Sequence, residues 1–248
     1  MADVMLVTGG SRGIGAAVCR MAAARGWDVA VNYAARADEA EAVVRDVEAC
    51  GRRGLAVAAN VADDAARTAM FDRTEAELGP IKALVNNAGI VHASSPLADL
   101  DAATIRRVLD VDLTAAILAA REAVRRMSTA RGGAGGVIVN TSSVAPRVCG
   151  GVGLLAYGIA KGGVDVLTEQ LGREAAPGGV RVCGVKPGLI DTEIHAGIGA
   201  GDRIKELGAG VPIGRAGTAE EVAECILWLC SEQASYVTAT SFDVAGGR

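Results

Sequence analysis

Tyr157 and Lys161 lie four residues apart in LAYGIAKGGVDVL, a stretch that reads as helix, so they share one face. A phenol is a weak acid that titrates near pH ~10 and does little acid–base work at neutral pH by itself. A cation within reach favours its ionised form, and Lys161 is spaced to supply one. Tyr157 could then hand a proton to a carbonyl oxygen, or take one from an alcohol. Ser142 and Ser143 follow the apolar run Val137 to Thr141, and a hydroxyl there could hold the same oxygen. A Tyr-x-x-x-Lys pair alone is a weak signal, so its weight depends on what surrounds it.

A second group of residues opens the chain. In VMLVTGGSRGIG, Val4 to Gly15, an apolar run turns through Gly9, Gly10, Gly13 and Gly15 and continues into the small, helix-compatible run Ala16 to Ala24. This is a buried strand, a tight turn and a helix start. The glycines let backbone pass close to a bulky anion, and free N–H groups at the helix start point at it. The stretch suits a pyrophosphate, although its spacing is G-x-x-x-G-x-G rather than the G-x-G-x-x-G of the usual dinucleotide fingerprint.

These residues need a scaffold, and the pattern between them supplies one. Strands are expected at Val4–Val7, Trp27–Val31, Gly54–Ala59, Ala83–Asn86, Val137–Thr141, Val180–Val185 and Ser241–Val244. Helices are expected at Ala16–Ala24, Ala37–Ala49, Asp63–Leu78, about Ile105–Met127, Leu155–Ala176 and Thr218–Ser231. The strands are short continuous apolar runs, as when helices cover both faces of a sheet. Alternation throughout predicts an α/β fold with a doubly wound parallel sheet. Gly188 to Gly217 lacks a clear element, and so long a loop predicts a lid or binding segment.

Composition sets the bounds. At 248 residues the chain fits one domain, and with half of them hydrophobic it can build a large core. Aromatics are only 3%, so that core must be Ala, Val, Leu and Ile. A net charge of −4 argues against nucleic acid and anionic membrane as partners. Six scattered cysteines without a C-x-x-C, and only two histidines, argue against a metal site. No apolar run reaches membrane-spanning length and no leader pattern opens the chain, so a cytoplasmic protein is expected.

In combination and order, several segments resemble the short-chain dehydrogenase/reductase family over essentially the whole chain. They are Thr8-Gly9-Gly10-Ser11-Arg12-Gly13-Ile14-Gly15, Asn86-Asn87-Ala88-Gly89, Ser142-Ser143, Tyr157-Gly158-Ile159-Ala160-Lys161, Lys186-Pro187-Gly188 and Asp243-Val244-Ala245-Gly246-Gly247. The resemblance implies a seven-stranded Rossmann-type sheet, a homotetramer, and a Ser-Tyr-Lys catalytic core on Ser143, Tyr157 and Lys161. Ser143 is preferred to Ser142 because it lies fourteen residues before Tyr157, close to the family's usual gap. The resemblance further implies cofactor contacts from Gly9, Ser11, Arg12, Gly13, Ile14 and Gly15, and from Asn32, Tyr33, Asn60 and Val61 after the second and third strands. Asn87, Ala88 and Gly89 would lie against the cofactor with Tyr157 and Lys161. Pro187, Gly188, Ile190 and Thr192 would surround the nicotinamide, with the Ile190 N–H and Thr192 meeting its carboxamide.

One position departs from the family. Its fourth catalytic residue is an Asn, and the matching segment here, Asp110-Val111-Asp112-Leu113-Thr114, has Asp112 in that place. A carboxylate near Lys161 would offset the cation that acidifies Tyr157, so an active enzyme with an alkaline-shifted optimum is expected. For the cofactor, an NAD site wants an acid after the second strand. Here Asn32-Tyr33-Ala34-Ala35-Arg36 has none, whereas Arg12 and Arg36 suit a 2′-phosphate, so NADP is expected over NAD.

Val91, His92 and Ser94, Val148 to Leu154, and Ile190 to Ile198 with His195 are candidate pocket residues. The resemblance is nearest to 3-oxoacyl-acyl-carrier-protein reductases and to glucose 1-dehydrogenase-like enzymes. The same resemblance puts Arg173 where a carrier protein would dock in such reductases, in a pattern widespread in the family. A non-catalytic NADP(H)-binding regulatory protein is the alternative from another class, because fold does not fix function. A lyase or epimerase using bound nicotinamide is a third.

Overall fold

The computed structural model describes residues 2–148, 153–193 and 204–248. Seven strands form one sheet: β1 (Val4–Val7), β2 (Asp28–Tyr33), β3 (Gly54–Ala58), β4 (Ile81–Asn86), β5 (Gly136–Thr141), β6 (Val180–Pro187) and β7 (Thr240–Val244). Their order is β3-β2-β1-β4-β5-β6-β7, and every neighbouring pair runs parallel. β1, β4 and β5 are buried almost end to end, which explains why they read as mostly continuous apolar runs rather than as alternations.

Helices cover both faces. α1 (Gly13–Ala24), α2 (Ala37–Ala49) and a late helix, Ala219–Cys230, pack on one face through Val18, Val43, Val222 and Ile226. α3 (Asp64–Leu78) packs on the other through Met70 and Phe71, with Ala119, Ala120 and Ala123 of a further helix. The alanine-rich faces let these helices lie close to the sheet, which is how a core with few aromatics still fills.

The chain winds from β1 to β3 in one direction and from β4 to β7 in the other. The reversal falls between β1 and β4, and in open α/β sheets ligands bind in the crevice beyond the strand ends at such a point. The loops that follow β1 and β4 are tied together there. The Thr8 hydroxyl accepts from the main-chain N–H of Asn87 (2.9 Å) and of Ala88 (3.1 Å), and the Asn87 amide donates to the Thr8 and Gly9 carbonyls.

Between β4 and β5 the structure corrects the single helix expected over Ile105–Met127. α4 (Ala102–Leu109) starts earlier, capped by the Asp101 carboxylate on the Thr104 N–H, and is followed by a π-helical turn, Asp110–Thr114, before α5 (Ala115–Met127). The wider turn frees backbone carbonyls, and the Asn86 amide donates to that of Ala116 (3.1 Å). Asn86 also donates to the Asn140 side chain, which donates to Thr168, so a buried polar ladder runs through β4, β5 and the helix behind them.

After β5 come a short turn of helix, α6 (Ala145–Val148), and the long α7 (Leu155–Ala175). β2 runs on to Tyr33, two residues beyond the expected Val31. The 188–217 segment is less bare than expected. It holds α8 (Ile204–Gly208) and a parallel bridge between Ile190 and Gly217, while 194–203 lie outside the described residues. The late helix, α9 (Ala219–Cys230), starts with a capping box in which Thr218 and Glu221 each accept the other's main-chain N–H. Among the described residues, no helix is long and apolar enough to cross a membrane.

Candidate active site

α3, α4 and α9 each have a side-chain cap on their first turn, and α1 has none. Its uncapped start opens on a cleft of about 900 Å³ at the strand ends of β1, β2 and β4, lined by Ser11, Arg12, Gly13 and Ile14. Unsatisfied N–H groups and the positive end of the helix dipole make this an anion site. The cleft is long enough for a dinucleotide: it runs past Asn32 and Tyr33, past Asn60 and Val61, and along Asn87, Ala88 and Gly89 to Thr192.

Two of the expected contacts take another role. Gly15 does not line the cleft. A Cβ there would strike the Gly9 carbonyl and the Asn87 amide (2.7 Å), so this glycine lets α1 pack against its own loop. Asn32 lines the cleft, but its side chain is spent on backbone. Its oxygen accepts from the Gly9 N–H (3.2 Å), and its amide donates to the Val57 and Ala59 carbonyls, which fixes the glycine loop to β2 and β3. Sequence reasoning missed Arg106, Arg107 and Asp110 of α4 and the π-turn, which form the far wall. Nothing in their spacing relative to the glycine loop signals that approach.

A second cavity of about 340 Å³ adjoins the first, sharing Ile14, Asn87, Gly89 and Thr192. Ser143, Tyr157 and Lys161 all line it, as do Pro187, Gly188 and Ile190. The parallel bridge at Ile190 is made by the N–H groups of Asp191 and Gly217, so it does not consume the Ile190 N–H. The two serines differ. The Ser142 hydroxyl donates to the Lys161 carbonyl and is buried. The Ser143 Oγ accepts from the Ala145 N–H (3.0 Å), which leaves its own proton to donate into the cavity.

Lys161 is 5% exposed, donates to the Thr141 carbonyl (3.0 Å), and lies 5.7 Å from the centre of the Tyr157 ring. Behind it the π-turn delivers Asp112, 1% exposed. Asp112 Oδ1 accepts from the Ile90 N–H (2.8 Å). Oδ2 is 3.9 Å from Lys161 Nζ and has no hydrogen-bond partner among the described residues. Burial pushes the Asp112 carboxyl above its ordinary value, against the opposing pull of Lys161 and the Ile90 N–H. The expected carboxyl beside Lys161 is therefore present, and burial makes it harder to ionise than a free one.

Of the candidate pocket residues, Val91, Val148, Leu154 and Ile190 line the second cavity. His92 and Ser94 are not among its lining. His92 is buried with its Nδ1 on the Ala93 carbonyl. His195, and residues 149–152 and 196–198, lie outside the described residues. Arg12 faces Glu193 (3.4 Å) and Arg36 faces Glu39, both on the surface. Arg173 donates to the Glu169 carbonyl of its own helix. No cluster of three or more His, Cys, Asp or Glu suited to a metal occurs among the described residues.

The family model described as enoyl-(acyl carrier protein) reductase matches residues 9–248. An uncharacterized oxidoreductase of Escherichia coli, YgfF, is 42% identical over 245 residues, covering 99% of each chain. The cis-4-hydroxycyclohexanecarboxylate dehydrogenase of Sinomonas cyclohexanicum is 41% identical, covering 98% of this chain and 95% of its own. Among solved structures, the 3-ketoacyl-(acyl-carrier-protein) reductase of Brucella melitensis complexed with NADH superposes with a TM-score of 0.91 at 28% identity, covering 99% and 98% of the two chains. A metagenomic blue fluorescent protein in complex with NADPH gives 0.90 at 34%, covering 99% and 97%. With the Rossmann-type sheet, the glycine loop and the Ser-Tyr-Lys cavity in place, the chain belongs to the short-chain dehydrogenase/reductase family, oxidoreductases that use a nicotinamide cofactor to interconvert CH–OH and C=O groups.

Proposed function

We propose that this protein is an NADP(H)-dependent oxidoreductase of a small carbonyl or secondary-alcohol substrate, built as one domain. The observation that carries the reading is the convergence of Ser143, Tyr157 and Lys161 on a cavity that shares four residues with the dinucleotide cleft. A bound nicotinamide supplies the carbon that exchanges hydride. The chain's residues handle the oxygen and its proton. Ser143 donates a hydrogen bond to the substrate oxygen, and Tyr157 gives that oxygen its proton in reduction or removes it in oxidation. Lys161, fixed by Thr141, keeps a positive charge beside the phenol. Asp112 acts on Lys161 from behind and touches no substrate.

NADP is favoured over NAD by the lack of an acid after β2, where Tyr33, Ala34, Ala35 and Arg36 line the cleft with Arg12. Both arginines would exchange a surface carboxylate for the 2′-phosphate. Replacing Arg12 and Arg36 by Gln is expected to raise the KM for NADPH about 10–100-fold, the weight of a lost hydrogen bond to a charged group. The KM for NADH should change little.

A cavity of about 340 Å³ suits a compact substrate. That favours a small ketone or cyclic hydroxy compound, as in the Sinomonas relative, over the body of a long acyl chain. A 3-oxoacyl thioester would present only its short end, and a glucose 1-dehydrogenase-like sugar reaction ranks behind both because the wall is mostly apolar. The family resemblance adds a cytoplasmic homotetramer, and exposed Ile117, Ile159 and Val166 are apolar surface that subunit contacts would cover.

The test is loss of NADPH absorbance with an acetoacetyl thioester, small diketones and cyclic ketones, with glucose and NADP in the reverse direction, for the wild type and Tyr157→Phe. Turnover that falls about 100-fold or more in Tyr157→Phe, the scale of a lost acid–base group, supports the reading. Tight NADPH binding without turnover anywhere on the panel, across pH, would replace it with a regulatory nucleotide-binding protein.

A further inference from the structure

The second cavity has charged side chains of one sign only. Its described lining includes no Asp or Glu, and its two cations are Lys161 and Arg248. Lys161 is committed, bonded to the Thr141 carbonyl and facing Asp112. Arg248 is not: its guanidinium makes no hydrogen bond or ion pair among the described residues. Its neighbour Arg147 is already occupied, by the Asp243 carboxylate (2.7 Å) and by the main-chain oxygen of Arg248 itself (2.6 Å).

The backbone that brings Arg248 to the cavity is tightly built. β7 runs into Ala245-Gly246-Gly247-Arg248, in which the Arg248 N–H returns to the Ala245 carbonyl (3.2 Å) and both central glycines have positive φ, 62° and 90°. That is the signature of a primed turn, which reverses the chain within two residues and requires glycine. Bonds from the Ile213 N–H to the Gly246 carbonyl and from the Gly188 N–H to Val244 hold the turn against the cavity wall. Much of the rest of the lining is apolar, from Val91, Val148, Leu154, Leu189 and Leu207 among others.

We propose that Arg248 is a carboxylate anchor, and that the substrates this cavity selects are compact hydroxy or oxo acids carrying the carboxylate on an apolar body. The proposal rests on the reading that Ser143, Tyr157 and Lys161 carry out the redox step in the same cavity. A carboxylate entering a largely apolar pocket loses water and needs a charged, hydrogen-bonding partner in return. A guanidinium gives two parallel N–H donors in the geometry a carboxylate takes. No Asp or Glu side chain among the described lining residues competes for it.

The test compares 4-oxocyclohexanecarboxylate with its methyl ester, each with NADPH, in the wild-type protein, Arg248→Gln and Arg248→Lys. The wild type should prefer the acid. Arg248→Gln should raise the KM for the acid about 10–100-fold, the scale of one charge-assisted contact, and bring the acid-to-ester ratio of kcat/KM towards one. Arg248→Lys should recover part of that ratio. Equal effects on acid and ester, or an unchanged acid KM, would overturn the anchor. Turnover of the ester by the wild type reports the redox site separately. If neither compound turns over, the hydride-transfer reading fails with these substrates, and calorimetric titration of the acid into NADP-loaded protein decides the anchor. Binding that Arg248→Gln abolishes supports it, whereas equal binding in both proteins, or none in either, defeats it.

Discussion

Two aspartates are equally buried, each 1% exposed, at opposite ends of the sheet. Asp28 begins β2, at the edge away from the cleft. Its Oδ1 accepts from the Arg52 guanidinium and the Arg53 main-chain N–H, and its Oδ2 from the Arg53 guanidinium. Arg53 reaches on to the Glu77 and Leu78 carbonyls, so one carboxylate ties β2, the start of β3 and the end of α3 together. Asp112 has one N–H and a lysine at 3.9 Å, with an oxygen left bare. Burial alone would raise both carboxyls. At Asp28 the Arg53 N–H and the two guanidinium groups outweigh burial and the carboxyl ends below its ordinary value, whereas at Asp112 burial wins. The saturated carboxylate holds structure, and the unsaturated one sits where the proposed chemistry is.

Removing the saturated carboxylate should have the largest effect on stability. Asp28→Ala breaks a buried ion-paired network, a change that costs roughly 3–5 kcal/mol. Here the lower end applies, because Arg52 and Arg53 are 29% and 50% exposed and can rehydrate. About 3 kcal/mol corresponds to a Tm drop of roughly 6–12 °C in a chain of this length. The sign with pH follows from the lowered folded value. The stabilisation is fully present above the ordinary carboxylate value of 3.8 and is lost as pH falls through the folded value below it, so the gap between mutant and wild-type melts should close in strong acid. A Tm within about 2 °C of wild type would show that the network does not hold these elements together.

The unsaturated carboxylate should respond in the opposite direction. Asp112→Asn keeps an oxygen for the Ile90 N–H and removes the buried charge, so stability should rise by about 1 kcal/mol, the scale of one unpaired buried polar group. A raised folded value means that the cost of Asp112 is absent below 3.8, grows as pH rises towards the folded value and is constant above it. The gain in Tm should therefore be seen at neutral pH and vanish in acid. In the pH–rate profile, losing the negative charge behind Lys161 should move the working range to lower pH. A profile that stays in place would show that Asp112 does not act electrostatically on Lys161.

The partners of neither aspartate are legible in the sequence, although much of the rest of the fold is. The glycine loop, the buried strands and the Tyr157–Lys161 pair are local patterns, and local patterns survive folding. The π-turn is not local. Asp110 to Thr114 has no propensity that marks a wide turn, and what holds it are contacts from β4 and the loop after it: Asn86 on the Ala116 carbonyl and the Ile90 N–H on Asp112. The expected uninterrupted helix fails there for that reason. The use of the Asn32 side chain as loop support has the same origin, since its partners lie in the glycine loop and in and just after β3. Arg52 and Arg53 are adjacent in sequence, but nothing in that adjacency points to an aspartate on another strand.

The smallest expected effect tests redundancy, the property that most separates the two regions. Arg52→Gln removes two donors to Asp28 Oδ1. The same oxygen keeps the Arg53 main-chain N–H at 3.0 Å, and Oδ2 keeps the Arg53 guanidinium at 2.7 Å. Because Arg52 is itself partly exposed, its contribution should be near that of a surface ion pair, up to about 1 kcal/mol, or roughly 2–4 °C in Tm. Asp112 has no such reserve, since among the described residues Lys161 is the only cation within 4 Å of it. If Arg52→Gln costs as much as Asp28→Ala in thermal melts, the donors around Asp28 act as one indivisible unit. The contrast with Asp112 would then lie in the number of partners and not in their redundancy.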